Sequence, residues 1–297
     1  MTKVVVPYPG KIFKEFYLDL GIDGVILGVE NLSNNFNYYV SLNELEDIIK
    51  FLNEKKIEVF ISLNKLYYEK DIEKLKKVLK IISKYDVSVM YNDISIYNLT
   101  KELKLDINLV WNSIHMATNY KTVNFWNKRG VKTSILSTEI TKDEIIEIKN
   151  NTDSKIGIVL YGYLNMVTSS RKLISNYFKY IKLKKKEKKY LMTENLEDYP
   201  IIEENGETNI FSSKVLNGIE YFPLFIENNI DYVILDDYML ETKSFCNVVE
   251  AFSSLRNAPK DTEFVSKLYD VVGLNTNAKM FTGFLDKKTI FKVKNNE

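Results

Sequence analysis

Eight short, apolar runs rich in β-branched residues recur along the chain, and most are separated by segments whose apolar residues return every three or four positions. A run of four to eight apolar residues suits a strand buried on both faces, whereas the 3.6-residue period suits a helix with one apolar stripe. Their alternation is the pattern of repeated βα units around a parallel sheet. The runs fall at residues 3–6, 24–27, 58–63, 88–91, 108–111, 133–136, 155–161 and 232–235. Eight strands predict an α/β fold built on a closed, TIM-barrel-like (β/α)8 barrel, and 297 residues with 45% hydrophobic content suffice for one such core.

The intervening helices announce their own ends. Residues 42–56 place Leu42, Leu45, Ile48, Ile49 and Leu52 on one stripe, and Ser41 with Glu44 makes a capping box. Residues 71–84 repeat the pattern with Leu75, Val78, Leu79 and Ile82, and Thr141 with Glu144 introduces a helix over 142–149. The regularity breaks after the seventh strand, where residues 182–189 hold six lysines. Further on, residues 199–202 and 208–211 flank Glu203-Glu204-Asn205-Gly206, which predicts a hairpin with an Asn-Gly turn. Helical period resumes over 215–226, and a last helix is expected over 242–255. The organisation expected is a barrel domain over residues 1–257 that includes an insertion at 180–213, then a C-terminal extension over 258–297 with a final strand at 288–293.

Composition narrows function by exclusion. Forty-one basic and forty acidic residues leave a net charge of +1, so no global field draws the chain to nucleic acid or anionic membrane, and a basic contact surface must be local. One cysteine, Cys246, and one histidine, His115, rule out a disulfide framework or a thiolate or imidazole metal site within the chain. Residues 1–10 lack the pattern of a secretory leader, and the longest apolar run, 156–164, is too short to span a bilayer. The expected address is the cytoplasm, with no membrane partner.

Residues 162–178 read GYLNMVTSSRKLISNYF. With Tyr161 before it, this segment resembles the signature of peptidase family U32, the collagenase-like peptidases: His-Gly-small-Leu-Cys, then Ser-Gly-Arg-Cys, then Leu-Leu-Ser-Asn-Tyr. The similarity extends upstream through Thr118-Asn119-Tyr120, Val123, Trp126, Gly130-Val131, Leu136 to Ile140 and Glu144-Ile145. Downstream it continues through Pro200, Gly206, residues 210–213, Leu216, Ile219, Asn229 to Asp231 and Thr282-Gly283-Phe284. The departures are specific. Asn165 and Lys172 replace the two signature cysteines, Tyr161 replaces the histidine, and Ser170 replaces a glycine. A Glu-Gly-Arg after the last strand becomes Asp236-Asp237-Tyr238. In family members holding an iron–sulfur cluster those cysteines are ligands, so the resemblance implies no cluster and no other cofactor here. The loss of the arginine removes a bidentate partner for an anionic substrate group.

Chemistry in a (β/α)8 barrel sits at the C-terminal strand ends, which selects Asn64, Asp93, Glu139, Tyr161, Asn165 and Asp236. Glu139 and Asp236, both at carboxylate positions of the family pattern, are the expected acid/base pair, with Asn64 beside them. Tyr161, Asn165, Asp93, Arg171, Lys184 and Lys185 are expected to bind substrate. The bland alternative for each carboxylate is a helix cap or a lysine partner. His115 after the fifth strand is a general-base candidate or a solvent-facing residue, and Cys246 is expected to be a buried, inert thiol. The lysine run, with Tyr177, Phe178, Tyr180 and Tyr190 nearby, offers RNA phosphates charge and bases stacking faces, or is simply a solvated loop.

The family name implies peptide hydrolysis, yet no nucleophile–base pair is recognisable. The family is also associated with oxygen-independent hydroxylation, including that of a tRNA wobble uridine. The resemblance therefore implies a subunit of a tRNA-modifying system, a heteromer of this short chain with a longer paralogue. A hydrolase using a mouth carboxylate and a non-catalytic binding subunit are the alternatives.

Overall fold

The computed structural model describes residues 1–13 and 17–287, and the expected strand at 288–293 lies outside them. All eight runs form strands. β1 (Lys3–Pro7) and β2 (Gly24–Val29) pair in parallel, and the two-residue β3 (Tyr39–Val40) adds to the end of β2. β4 (Glu58–Leu63), β5 (Ser88–Tyr91), β6 (Asn108–Trp111), β7 (Thr133–Ile135) and β8 (Lys155–Ser169) continue the parallel order. After a long excursion the chain returns in β12 (Tyr232–Leu235), which pairs in parallel with both β8 and β1 and so closes the barrel. Its interior is filled by Val5, Ile26, Phe60, Met90, Val110, Ile135, Tyr232 and Ile234, with Phe60 and Tyr232 meeting edge to face at 5.5 Å. A larger apolar layer lies between the strands and the surrounding helices.

Helices α1 (Leu42–Glu54), α2 (Glu69–Ile82), α3 (Ile94–Glu102), α4 (Tyr120–Asn127) and α5 (Lys142–Asn150) alternate with the strands. The expected capping boxes of Ser41 with Glu44 and Thr141 with Glu144 are both present. Each satisfies backbone N–H groups that have no partner within the helix.

The insertion begins earlier than its composition suggests. The strand expected to stop at Tyr161 leaves the barrel at Gly162 and runs on to Ser169. There it becomes one strand of an antiparallel arm with β11 (Glu207–Asn217), β10 (Glu197–Glu204) and β9 (Lys189–Glu194), and α6 (Leu173–Tyr180) packs against the arm. The Asn-Gly turn is as expected: Asn205 and Gly206 take φ of 49° and 89° between the paired Glu204 and Glu207. Both left-handed, these residues match the primed hairpin turn that follows strand twist.

One other expectation changes. Val215 to Asn217, helical by their spacing, instead close β11, because their backbone pairs with β8 and their side chains are buried there. The helical turn starts only at Ile219 and leads into α7 (Phe222–Glu227). In the C-terminal extension, α9 (Thr262–Leu274) packs against α8 (Thr242–Asn257), and β13 (Met280–Phe281) pairs with β11. Asp286 then pairs with Lys142 of α5 at 2.5 Å, tying the extension to the barrel.

Candidate functional site

Three consecutive strands are followed by the same residue: Leu63-Asn64, Tyr91-Asn92 and Trp111-Asn112. Their carboxamides ring one side of the C-terminal mouth. Asn64 Nδ2 donates to the Asn34 carbonyl at 3.0 Å and its Oδ1 accepts from the Asn34 N–H at 2.9 Å, so Asn64 pins the loop after β2. Asn92 Nδ2 donates to the Asn64 carbonyl at 3.0 Å and links the next strand end to it.

That pinned loop turns Phe36 down into the mouth, where it joins the inner core. Gly28 makes room for it, since a Cβ there would lie 2.6 Å from the Phe36 ring. Above Phe36 remains a cavity of about 140 Å³. Its walls are apolar (Ile26, Phe36, Met90, Ile135, Leu164, Phe211 and Ile234), and Asn35, Asn64, Asn112, Thr138, Asn165 and Asp236 supply polar groups. Larger openings exist at the N-terminal barrel end, about 520 Å³, and beside the hairpin turn, about 620 Å³. Size does not select the site here, because of these three openings it is the 140 Å³ cavity that sits where the C-terminal strand ends converge.

Asp236 and Asp237 follow β12 directly. Asp236 Oδ1 accepts from the Tyr238 N–H at 2.9 Å, and burial pushes its pKa up to about 6. Asp237 is 1% exposed, and its Oδ1 has no partner; burial and then the neighbouring Asp236 push it up to about 7. Asp236 lines the cavity and is only partly covered, so it is the ionisable group best placed to meet a ligand there.

The other expected residues separate into groups. Asn165 lines the cavity, its Nδ2 donating to Thr168 Oγ1 at 3.1 Å and Asn209 Oδ1 at 3.0 Å. Glu139 stands on the exposed rim, 3.3 Å from His115 Nδ1, and is not among the residues lining the cavity that Asp236 lines. Asp93 caps α3 by accepting from the Ser95 N–H at 2.9 Å. Tyr161 does not reach the mouth. The register between β8 and β12 slips by one residue before it, so Leu160 and Tyr161 both turn outward. The Tyr161 ring packs on Phe245 and its hydroxyl meets Thr276 at 2.8 Å. Lys185 is held by the buried Glu203 at 2.6 Å, whereas Lys184 and Arg171 are exposed. Cys246 is buried as expected, and burial pushes its thiol pKa up.

Nothing in the sequence pattern announces the roof over the mouth. Ile202, Phe211 and Tyr238 form a small core joining the arm to the barrel. Tyr238, at the family's arginine position, donates its hydroxyl to Glu204 at 2.9 Å and packs on Phe211, so that position braces the roof. Glu204 also accepts from Tyr39 at 2.9 Å, and Glu207 from the Asn34 side chain at 2.5 Å and the Leu66 N–H at 2.8 Å. Burial raises the Glu207 pKa, although those donors oppose the shift. Asn205 Nδ2 completes the clasp on the Ser33 carbonyl at 3.1 Å.

At the two cysteine positions of the family signature stand a carboxamide engaged with Thr168 and Asn209, and an exposed ammonium, Lys172. This donor set does not fit an iron–sulfur cluster, which needs thiolates. Among the described residues no three His, Cys, Asp or Glu side chains gather as a metal site requires, and no helix is long and apolar enough to cross a membrane.

The chain is a closed parallel barrel of the (β/α)8 class, whose roofed, carboxamide-lined mouth lies at the strand ends where such barrels place their ligand sites. The chain belongs to Peptidase family U32, whose profile matches residues 14–294. It is similar to tRNA hydroxylation protein P2 of Bacillus subtilis (strain 168), 25% identical over 292 residues, covering 92% of this chain and 94% of that one. It is also similar to tRNA hydroxylation protein P1 of the same organism, 21% identical over 253 residues, covering 80% of this chain and 59% of that one. Among solved structures, the U32 peptidase Mk0906 superposes with a TM-score of 0.50 at 12% identity, covering 80% of this chain and 92% of that one, a likeness of fold.

Proposed function

We propose that this chain is a subunit of a tRNA-modifying system that hydroxylates the wobble uridine, working beside a longer paralogue in the cytoplasm. The observation that carries this is the near end-to-end similarity to a tRNA hydroxylation protein, 92% of this chain against 94% of that one. A second relative with the same kind of name is the longer protein, this chain matching only 59% of its length, and that pairing supports a heteromer.

The surface supports RNA contact locally. Arg171 and Lys172 are exposed, and Lys70, Lys172 and Tyr68 border the 620 Å³ groove beside the hairpin turn. Of the four aromatics near the lysine run, Phe178 packs on Tyr190 at 4.9 Å and meets Tyr177 edge to face at 5.9 Å, while Tyr177 and Tyr180, 60% and 84% exposed, offer ring faces on which bases can stack. Lys184 adds charge there, whereas Lys185 neutralises Glu203. In this reading Asp236, Asn64 and Asn165 shape the site at the mouth, and the chain contributes RNA binding without a cofactor of its own. The test is mass spectrometry of total tRNA nucleosides from a strain lacking the chain. Loss of 5-hydroxyuridine derivatives is expected, and an unchanged profile contradicts the assignment.

One observation favours a second reading. Glu139 lies 3.3 Å from the His115 imidazole on the rim, an arrangement able to activate a water for hydrolysis. That reading requires peptide turnover by the purified chain, lost in Glu139→Gln.

A further inference from the structure

The arm ends in an uncovered edge. β9 is last in the sheet order, and among the described residues no strand pairs with its outer side. One hydrogen bond fixes which of its backbone groups point outward. The Lys188 carbonyl accepts from the Glu203 N–H at 2.9 Å, so Lys188 faces β10, and the pairing then runs from Lys189 to Glu194 without a register shift. Backbone groups alternate along a strand, so Tyr190, Met192 and Glu194 also face β10, whereas Lys189, Leu191 and Thr193 turn their N–H and C=O groups away from the sheet. Before Lys188 the chain leaves the ladder, the N–H groups of Lys186 and Glu187 both donating to the Tyr190 hydroxyl at 3.0 Å. The window open to a partner is therefore 188–194.

Edge strands of natural sheets are commonly blunted by a proline or a bulge. β9 has neither, and Leu191 and Met192 are exposed on it. What suits this edge can be read from its own sequence. In an antiparallel ladder an outward-facing residue stands opposite another outward-facing one, which limits β9 against a second β9 to a few registers. The register that uses the whole window is centred on Leu191. It sets Leu191 against Leu191, Tyr190 against Met192, Lys189 against Thr193 and Lys188 against Glu194. Glu194 is exposed, with no ion pair among the described residues, and Lys188 keeps most of its side chain in solvent while reaching Glu204 at 3.1 Å. No like charges meet. The next register in either direction sets Glu194 against Lys186, beyond the ladder, or against Tyr190, so full overlap and charge complementarity select the same pairing.

We propose that the chain forms a two-fold dimer in which β9 pairs antiparallel with β9 of a second copy, joining the two arms into one continuous sheet. The outward N–H and C=O groups of Lys189, Leu191 and Thr193 then all find partners, and because the contact is isologous the Lys188–Glu194 pair forms twice. Residues directly opposite in an antiparallel pair share a face. Tyr190, which packs on Phe178 of α6, therefore lies on the same face as Met192 of the second copy, and both α6 helices stand on one side of the joined sheet with their exposed Tyr177 and Tyr180. The dimer goes beyond the tRNA reading and does not require RNA.

Analytical ultracentrifugation of the full chain at about 100 μM, well above a micromolar dissociation constant, is expected to show a dimer. Glu194→Lys sets ammonium against ammonium at both ends of the ladder and should weaken the dimer about tenfold. A cross-link reads the register. The two Leu191 Cα atoms would stand about 5.5 Å apart, within the span of a disulfide, whereas the two Thr193 Cα atoms would be more than about 13 Å apart. Under oxidation Leu191→Cys should cross-link into a dimer and Thr193→Cys should not, and Cys246 is buried, which leaves the introduced thiol as the exposed one. Circular dichroism establishes folding, and the cross-links decide even where Glu194→Lys misfolds. A chain that is monomeric at that concentration, whatever other protein it captures, overturns the proposal. So does a dimer that folded Glu194→Lys leaves unaltered, a Leu191→Cys chain that fails to cross-link, or a Thr193→Cys chain that cross-links as readily.

Discussion

Two adjacent carboxylates follow β12, Asp237 buried and Asp236 partly covered at the cavity, and their protonation carries an energetic signature. Asp236 and Asp237 have pKa values of about 6 and about 7 against an ordinary 3.8, both raised first by burial. The folded chain therefore binds more protons than the unfolded chain from about pH 4 to about pH 7, and stability contributed below that window is lost as pH rises through it. Asp237→Asn removes a buried charge whose Oδ1 has no partner. A tenfold change in proton affinity between the folded and unfolded chain is worth about 1.4 kcal/mol. The variant should therefore gain at least about 2 kcal/mol on wild type at pH 8 that it does not gain at pH 4, read from urea unfolding. A gain equal at both pH values contradicts the burial argument. Sequence exposes this site in part. Asp236 and Asn165 are recognisable from strand ends and the family signature, whereas Asn112 escapes that reading although the Asn after β4, β5 and β6 repeats the same cue. Tyr161 misleads because a one-residue slip between β8 and β12, invisible to a period-two count, reverses its face.

Among the elements, the arm depends on ion pairing that its lysine run conceals. Burial pushes Glu203 up, but Lys185 and Ser175 more than offset it, and its pKa ends below the usual value. Lys185→Ala strands a carboxylate whose side chain is 6% exposed, and about 3 kcal/mol of stability should go with it. Lys184→Ala, on the solvent side of the same run, should change stability by no more than about 0.5 kcal/mol. Thermal unfolding of both distinguishes a run that is partly structural from one that is wholly solvated, since equal small losses contradict the Glu203 role. The Asn-Gly turn is legible because Asn and Gly readily take the left-handed pair that a type I′ two-residue hairpin requires. The extension of β8 past Tyr161 is not, because Gly162, Asn165, Thr168 and Ser169 have the composition of a loop and only pairing with β11 makes them a strand. Helix α9 carries its cue in Asp261 and the spacing of Phe264, Val265, Leu268 and Val272, but its packing on α8 decides its place.

At the scale of the molecule, barrel closure, the arm and the mouth share one hinge. Gly162 sits where β8 leaves the barrel, with φ of 125°, and a Cβ there would lie 2.8 Å from the Asp236 backbone oxygen. Gly162→Ala strains the backbone and pushes against the chain leaving β12, so it should cost about 2–4 kcal/mol and alter the cavity together with the barrel seam. Retention of wild-type stability would mean that the seam is not fixed at this point. The eight strands are legible throughout because strands buried on both faces leave an unbroken apolar run. What the run does not convey is that the seventh barrel strand also builds the roof. The most direct test of the whole account is the level of 5-hydroxyuridine derivatives in tRNA from a strain lacking this chain, complemented with wild type, Asp236→Asn or Glu139→Gln. Restoration by wild type and Glu139→Gln but not by Asp236→Asn is the expected result, since Asp236 lines the cavity and Glu139 lies on the rim. An unchanged level on deletion, or full restoration by Asp236→Asn, would contradict it.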